Sequence, residues 1–282
     1  MIDLHTHSNC SDGSMTPREL VLHAKKCGLS AIALTDHDTT VGIAEAQETA
    51  AQLGITLIPG VEVSTEAESQ VHVLGYYIDP ENENLKDSFV KQQNERAINF
   101  EKYIKKLNEY GFAITREEVL AHAPSGHVGR AHYGKVMMEK GYVSSVKEAF
   151  DRYLGIGMPC YIKREVMAPE TAIQNIHKAG GVAFFAHPHQ TKLPDEQLYA
   201  LLKRLTDAGL DGIEGYYPEY SEEMGQKFRG WGKELGLLFS GGSDFHAAMK
   251  PHIEIGSGMN NNLHIPDSIL DAIQRKVDYK NF

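Results

Sequence analysis

Short apolar runs, each followed by a stretch of helical periodicity, recur at both ends of this 282-residue chain, and that alternation limits the fold more than any other feature. Residues 2–5, 31–35, 55–58, 61–64 and 71–77 read as strands. Between the first two, Thr16-Pro17-Arg18-Glu19 has the form of a capping box with proline at the first helical position. The helix it opens runs to about Cys27, with Gly28 as its stop. A second helix covers 42–53 and stops at Gly54. The same rhythm returns after residue 168, with helices at 169–178, 194–206 and 222–235 separating strands at 182–186, 211–215 and 237–240. A last helix begins after Pro266 and runs towards Val277. Strand-helix-strand alternation of this kind implies parallel strands and an α/β fold.

Residues 85–165 break the pattern. They carry almost no strand signal and read as several helices, with breaks at Gly111, 123–129, Gly141 and 154–159. This window holds 14 Lys+Arg and 10 Asp+Glu, which leaves 14 against 28 in the rest of a chain whose net charge is -10. The expected organisation is a discontinuous domain over 1–84 and 166–282, with a helical insertion at 85–165. The insertion is either a solvated appendage or a lid that meets an anionic substrate. The acidity of the whole argues against bulk electrostatic binding to duplex nucleic acid or to an anionic membrane, and no apolar run is long enough to span a bilayer. Three cysteines without a Cys-x-x-Cys argue against a disulfide scaffold and a thiolate zinc site. Met1-Ile2-Asp3-Leu4-His5 runs directly into strand-like sequence rather than a secretory leader. A soluble, cytoplasmic protein is expected.

The 14 histidines are unevenly placed. In a strand, residues i and i+2 share a face, so His5 and His7 of His5-Thr6-His7 project together. Asp244-Phe245-His246 repeats that spacing with a carboxylate and an imidazole. Asp12 follows the first pair, and Asp36-His37-Asp38 closes the 31–35 strand. Glu62, His72 and His187 fall in or just after other strand segments. A lone His-x-His is commonplace. Six histidines and several carboxylates at the ends of separate strands, with no thiolate among them, point instead to one metal centre, placed where a (β/α) barrel assembles its active site. Mixed imidazole and carboxylate ligands suit Mn, Fe or Zn.

The segments His5-Thr6-His7, Thr35-Asp36-His37, Ala186-His187-Pro188 and Gly242-Ser243-Asp244-Phe245-His246 resemble the four motifs of the PHP (polymerase and histidinol phosphatase) family. The resemblance implies a distorted (β/α)7 barrel of the PHP type with a helical insertion, and two to three divalent metal ions. It assigns one ion to His5, His7, Glu62 and Asp244. A second takes His72 and His187 with Glu62 as bridge, and a third takes Asp12, His37 and His246. Ser11-Asp12-Gly13, His72-Val73-Leu74-Gly75-Tyr76 and Gly129-Arg130-Ala131-His132 are similar to the TrpH-like phosphoesterases. That branch includes nucleoside 3',5'-bisphosphate phosphatases and 5'-to-3' exoribonucleases. Gly-Arg-Pro-His is the more usual form of the last element.

The implied activity is hydrolysis of phosphate monoesters of nucleotides (nucleoside 5'-mono- or 3',5'-bisphosphates) or of the 5' ends of short RNA, by metal-activated hydroxide attack on phosphorus. Three divalent ions set against Asp12, Glu62 and Asp244 leave about +3 locally, enough to attract phosphate to an acidic protein. Arg130, His132 and Lys163 are the candidates for phosphate contact. Asp36 is the candidate catalytic residue, orienting an imidazole or the water, with general acid as the alternative role. His127 could line the pocket, His189 reads as a loop residue near its mouth, and Tyr216 and Tyr217 read as core or as a base-stacking surface. Histidinol-phosphate phosphatase is the alternative enzyme, disfavoured by the insertion. A non-catalytic metal-binding module is the alternative class, disfavoured because no ligand position is lost.

Overall fold

β1 (Ile2–Thr6) leads into α1 (Pro17–Lys26), which the sequence signals delimit closely: the Thr16 hydroxyl accepts from Glu19 N, and the Glu19 carboxylate accepts from Thr16 N. β2 (Ala31–Leu34) is followed by α2 (Ile43–Leu53), which ends on Gly54 at φ 62°, a left-handed turn that glycine adopts without a Cβ penalty. The computed structural model describes residues 1–123, 128–155, 157–163 and 166–280.

The two strands expected at 55–58 and 61–64 are one strand, β3 (Thr56–Glu66). Its first half pairs parallel with β2, up to Leu34 opposite Pro59. Its second half pairs antiparallel with β4 (Gln70–Tyr76), from Gly60 opposite Tyr76. Pro59 thus sits where one ladder gives way to the next, a position at which its missing N–H is tolerated. β4 corrects the expectation of uniformly parallel strands. Only residues 67–69 link it to β3, closed by Ala67 N donating to Ser69 O at 2.9 Å, and so short a link cannot cross over to a parallel strand.

α3 (Glu83–Glu109), α4 (Arg116–Ala121), α5 (Arg130–Glu139) and α6 (Val146–Ala149) come next, with a π-helical turn over Phe150–Leu154. Then α7 (Pro169–Lys178), β5 (Val182–Phe185), α8 (Asp195–Asp207), β6 (Gly212–Tyr216), α9 (Glu222–Glu234), β7 (Leu238–Gly241) and α10 (Ser268–Lys280) complete the order. The seven strands form one sheet in chain order, β1 to β7, antiparallel on both sides of β4 and parallel elsewhere. The sheet curls but is only partly closed. In place of a β1–β7 ladder, a bridge joins Thr6 to Phe245, flanked by Asp244 N donating to His5 O and His7 N donating to Phe245 O, each at 2.9 Å.

Two apolar clusters cover the two faces of the sheet. Ile32, Leu34, Val61, Val63, Val73 and Phe185 pack with residues of α1, α2, α7, α8 and α9. Ala31, Ala33, Ile58, Leu74, Tyr76 and Phe184 pack with Leu263, Ile265 and α10. The period-2 split between the clusters is that of strands buried on both faces. The chain divides into two compact units, residues 1–89 with 166–282 and residues 90–165. The second unit has its own core, built on Phe100, Tyr103, Leu107, Tyr133, Met137 and Leu154. Among the described residues no helix is long and apolar enough to cross a membrane.

Candidate metal centre

Glu62, 1% exposed in the middle of β3, is the hub of the centre. His5 and His7 leave the end of β1 with their Nε2 atoms 3.1 and 3.2 Å from Glu62 Oε2, and 3.6 and 3.2 Å from Asp244 Oδ1. A single bridge ties His37, just past β2, to Glu62, and His37 Nε2 lies 3.3 Å from the same Oε2. The other carboxylate oxygen faces two further imidazoles: His72 Nδ1 from β4 at 2.7 Å and His187 Nε2 from the turn after β5 at 2.8 Å. Asp12, on the loop after β1, lies 3.1 Å from His246 Nε2, 3.6 Å from His7 Nδ1 and 3.8 Å from His37 Nε2.

All nine side chains expected as ligands are therefore gathered. Donor atoms of His5, His7, Glu62 and Asp244 lie within 4.8 Å of one another, as do those of His7, Asp12, His37 and His246, and those of His37, Glu62 and His72. His7 and His37 each fall in two of these sets, which the partition implied by the family resemblance did not contain. His187 joins through Glu62 Oε1. Fully buried His7 has no hydrogen-bond partner of acceptable geometry on either ring nitrogen, which fits a residue whose lone pair is meant for an ion. The donors are imidazole and carboxylate only, the set that suits Mn, Fe or Zn.

Burial alone would raise the carboxyl pKa of Glu62, but the His37, His5 and His72 rings outweigh it and hold the group well below the usual range. Asp244 is held low in the same way, by His5, His7 and Lys250. Burial opposes a proton on His7, yet the Asp244 and Glu62 carboxylates, each 3.2 Å from its Nε2, lift its pKa to about 9. Two of the clustered residues hold positive φ, Asp244 at 55° and His187 at 25°. Such backbone conformations concentrate at functional sites, where the surrounding structure enforces them.

Asp36 is placed differently from its expected role. Its Oδ1 accepts from Ser8 N at 2.7 Å and Ser11 Oγ at 2.6 Å, and its Oδ2 from Ser8 Oγ at 2.6 Å. Both oxygens thus hold the loop that carries Asp12, rather than an imidazole. Sequence reasoning missed Glu214 and Lys250 around the centre, and read Tyr217 as core or a stacking surface without linking it to the cluster. Glu214 of β6, 0% exposed, bonds His5 Nδ1 at 2.9 Å and accepts from His187 N at 2.7 Å. The Tyr217 hydroxyl donates to Asp244 Oδ2 at 2.7 Å, which makes that ring a buried support and not a stacking surface. Lys250 Nζ lies 2.6 Å from the same oxygen. Apart from a glutamate placed in an apolar strand, no motif signals any of the three.

In the second unit, the Arg130 guanidinium lies over the Phe150 and Tyr161 rings at 5.6 and 5.4 Å and donates to Leu154 O at 3.4 Å. His132 Nδ1 accepts from Gly129 N at 2.9 Å and so caps α5, while the Lys163 side chain is exposed. His127 lies outside the described residues. His189 pairs with Glu219 at 3.0 Å.

A partly closed α/β sheet with a histidine and carboxylate cluster at its strand ends defines a class, and residues 3–159 match the PHP domain. The chain belongs to the PHP domain family. It is 36% identical to a 5'-3' exoribonuclease of Haemophilus influenzae, over 97% of this chain and 98% of that one. It is 32% identical to a 3',5'-nucleoside bisphosphate phosphatase of Chromobacterium violaceum, over 90% of each. A solved structure from Bifidobacterium adolescentis, described as a candidate metal-dependent phosphoesterase, aligns with a TM-score of 0.75 at 30% identity, covering 98% of this chain and 96% of that one.

Proposed function

We propose that this protein is a metal-dependent phosphoesterase that hydrolyses phosphate monoesters of nucleotides or the 5' ends of short RNA. The observation that carries this reading is the division of Glu62: one oxygen faces His5, His7 and His37, the other His72 and His187. A carboxylate shared in this way suits two or three ions held close together, with Mn, Fe and Zn all compatible with the donors. Divalent ions bound there supply an acidified water and positive charge for the phosphoryl oxygens.

The remaining work falls to the chain. Tyr217 and Lys250 occupy Asp244 Oδ2 and leave Oδ1 directed at His5 and His7. Asp36 fixes the loop that presents Asp12. Lys250, about a third exposed, adds a cation at the edge of the cluster where a phosphate would approach. We assign the further phosphate contacts to Arg130, His132 and Lys163, in the part of the chain richest in positive charge. The names of the two relatives support a nucleotide or RNA substrate.

The test is phosphate release with Mn²⁺ from adenosine 5'-monophosphate, adenosine 3',5'-bisphosphate, a 5'-phosphorylated RNA trinucleotide and histidinol phosphate, with His7→Ala as the blank. Turnover of the bisphosphate or shortening of the RNA is expected. Preference for histidinol phosphate, or silence across the panel with metal bound, would overturn the reading.

A further inference from the structure

We propose that Glu214 is a positioning residue that fixes two histidines of the centre at once, His5 and His187, and thereby sets its affinity for divalent ions. The inference rests on the reading of the cluster as a metal centre. β6 contributes none of the nine clustered side chains, yet it carries a fully buried carboxylate between Ile213 and Gly215. A buried carboxylate is costly unless both oxygens are engaged. Here Oε1 meets His5 Nδ1 at 2.9 Å and Oε2 accepts from His187 N at 2.7 Å.

Each contact has a consequence for a ligand. A carboxylate on Nδ1 calls for a proton there, so Nε2, which faces Glu62 and Asp244, is the His5 nitrogen left for an ion to take. At His187 the main chain turns through φ 25° and ψ 61°, a conformation that side-chain-bearing residues rarely adopt. The bond from its N–H to Glu214 secures that turn and directs Nε2 to Glu62 Oε1 at 2.8 Å. Glu214 itself is tied down, because the Tyr220 hydroxyl donates to its carbonyl oxygen at 3.1 Å. Glu214 therefore orders imidazoles on both oxygens of Glu62, His5 on one and His187 on the other. An amide of the same shape cannot do this. Both partners donate, and glutamine offers one acceptor, so its NH₂ would face either the His5 Nδ1 proton or the His187 N–H.

Mn²⁺ binding to the full chain, measured by isothermal titration calorimetry with elemental analysis of bound metal, is compared for wild type, Glu214→Gln and His7→Ala. Circular dichroism checks that each variant folds. Glu214→Gln should bind about 10- to 100-fold more weakly than wild type. In the unaltered protein loaded with Zn²⁺, ring ¹⁵N resonances assigned with His5→Gln should show His5 protonated at Nδ1. Wild-type affinity in Glu214→Gln, or a His5 proton on Nε2, overturns this inference and leaves the metal centre standing. Should wild type bind no more metal than His7→Ala, the metal centre itself fails, and the role of Glu214 with it. Should Glu214→Gln not fold, the ring measurement on the unaltered protein decides.

Discussion

His7 is the residue at which proton and metal compete most directly. It must be neutral to bind an ion, yet Asp244 and Glu62 lift its pKa to about 9 in the metal-free fold. Metal binding should therefore release a proton and strengthen as pH rises towards about 9, then level off; calorimetry across pH 6.5 to 9.5 in buffers of different ionisation heat would show both effects. The sign for stability is the reverse. In the metal-free protein, charged His7 stabilises the fold fully below about 6.5, its unperturbed value, and that contribution fades as pH rises through about 9. His5 and His7 were legible in the sequence because strand alternation puts i and i+2 together. Asp36 was legible only as a neighbour of His37, and adjacency misled: next to an imidazole in sequence, its carboxylate turns to Ser8 and Ser11. Glu214 and Lys250 left no trace, since their partners lie on other elements and no spacing records them.

At the scale of elements, the join between β1 and the end of β7 determines whether His5, His7, Asp244 and His246 meet. Gly242 stands at that join. A methyl group there would overlap His5 Cβ and the His5 amide nitrogen and come within 2.7 Å of His5 Cα, all parts of β1 that cannot swing aside. Gly242→Ala should cost about 2 kcal/mol of stability by overpacking and also weaken metal binding, as read by denaturant unfolding and titration on one sample. The helix limits were readable because caps and glycine stops are local, whereas β3 read as two strands. The reversal at β4 lay in residues 67–69, a link too short to cross over, although the strand it feeds reads like its neighbours. Closure of the sheet was not readable, because it depends on twist accumulated over seven strands.

Across the whole molecule, charge and periodicity suggested an acidic discontinuous segment around a more basic helical one at 85–165, and the chain clusters into units of 1–89 with 166–282 and of 90–165. What ties the discontinuous unit together was legible in neither charge nor periodicity. Asp211, just before β6, takes His177 of α7 at 2.8 Å, Ala183 N of β5 at 2.9 Å and Lys280 of α10 at 3.0 Å. Burial pushes its carboxyl pKa up, but these partners outweigh burial and hold it below the usual value. Its stabilisation is thus present above about pH 4 and is lost as pH falls through the lowered pKa. Asp211→Asn should cost about 2 kcal/mol at pH 7 and progressively less on acidification, as measured by urea unfolding across that range.

The central place of Glu62 also bears on how the protein tolerates change. Nine side chains crowd one site, and several donor sets overlap, so the centre has the look of redundancy. Removing one imidazole leaves the other sets with most of their members. Removing Glu62, like removing His7 or His37, takes a member from two of the three sets, and it also cuts the link through which His187 joins. A lineage drifting away from catalysis could shed His5 or His72 and touch one set only, whereas a single change at this glutamate weakens two sets and releases His187, with His7, Asp12, His37 and His246 left together.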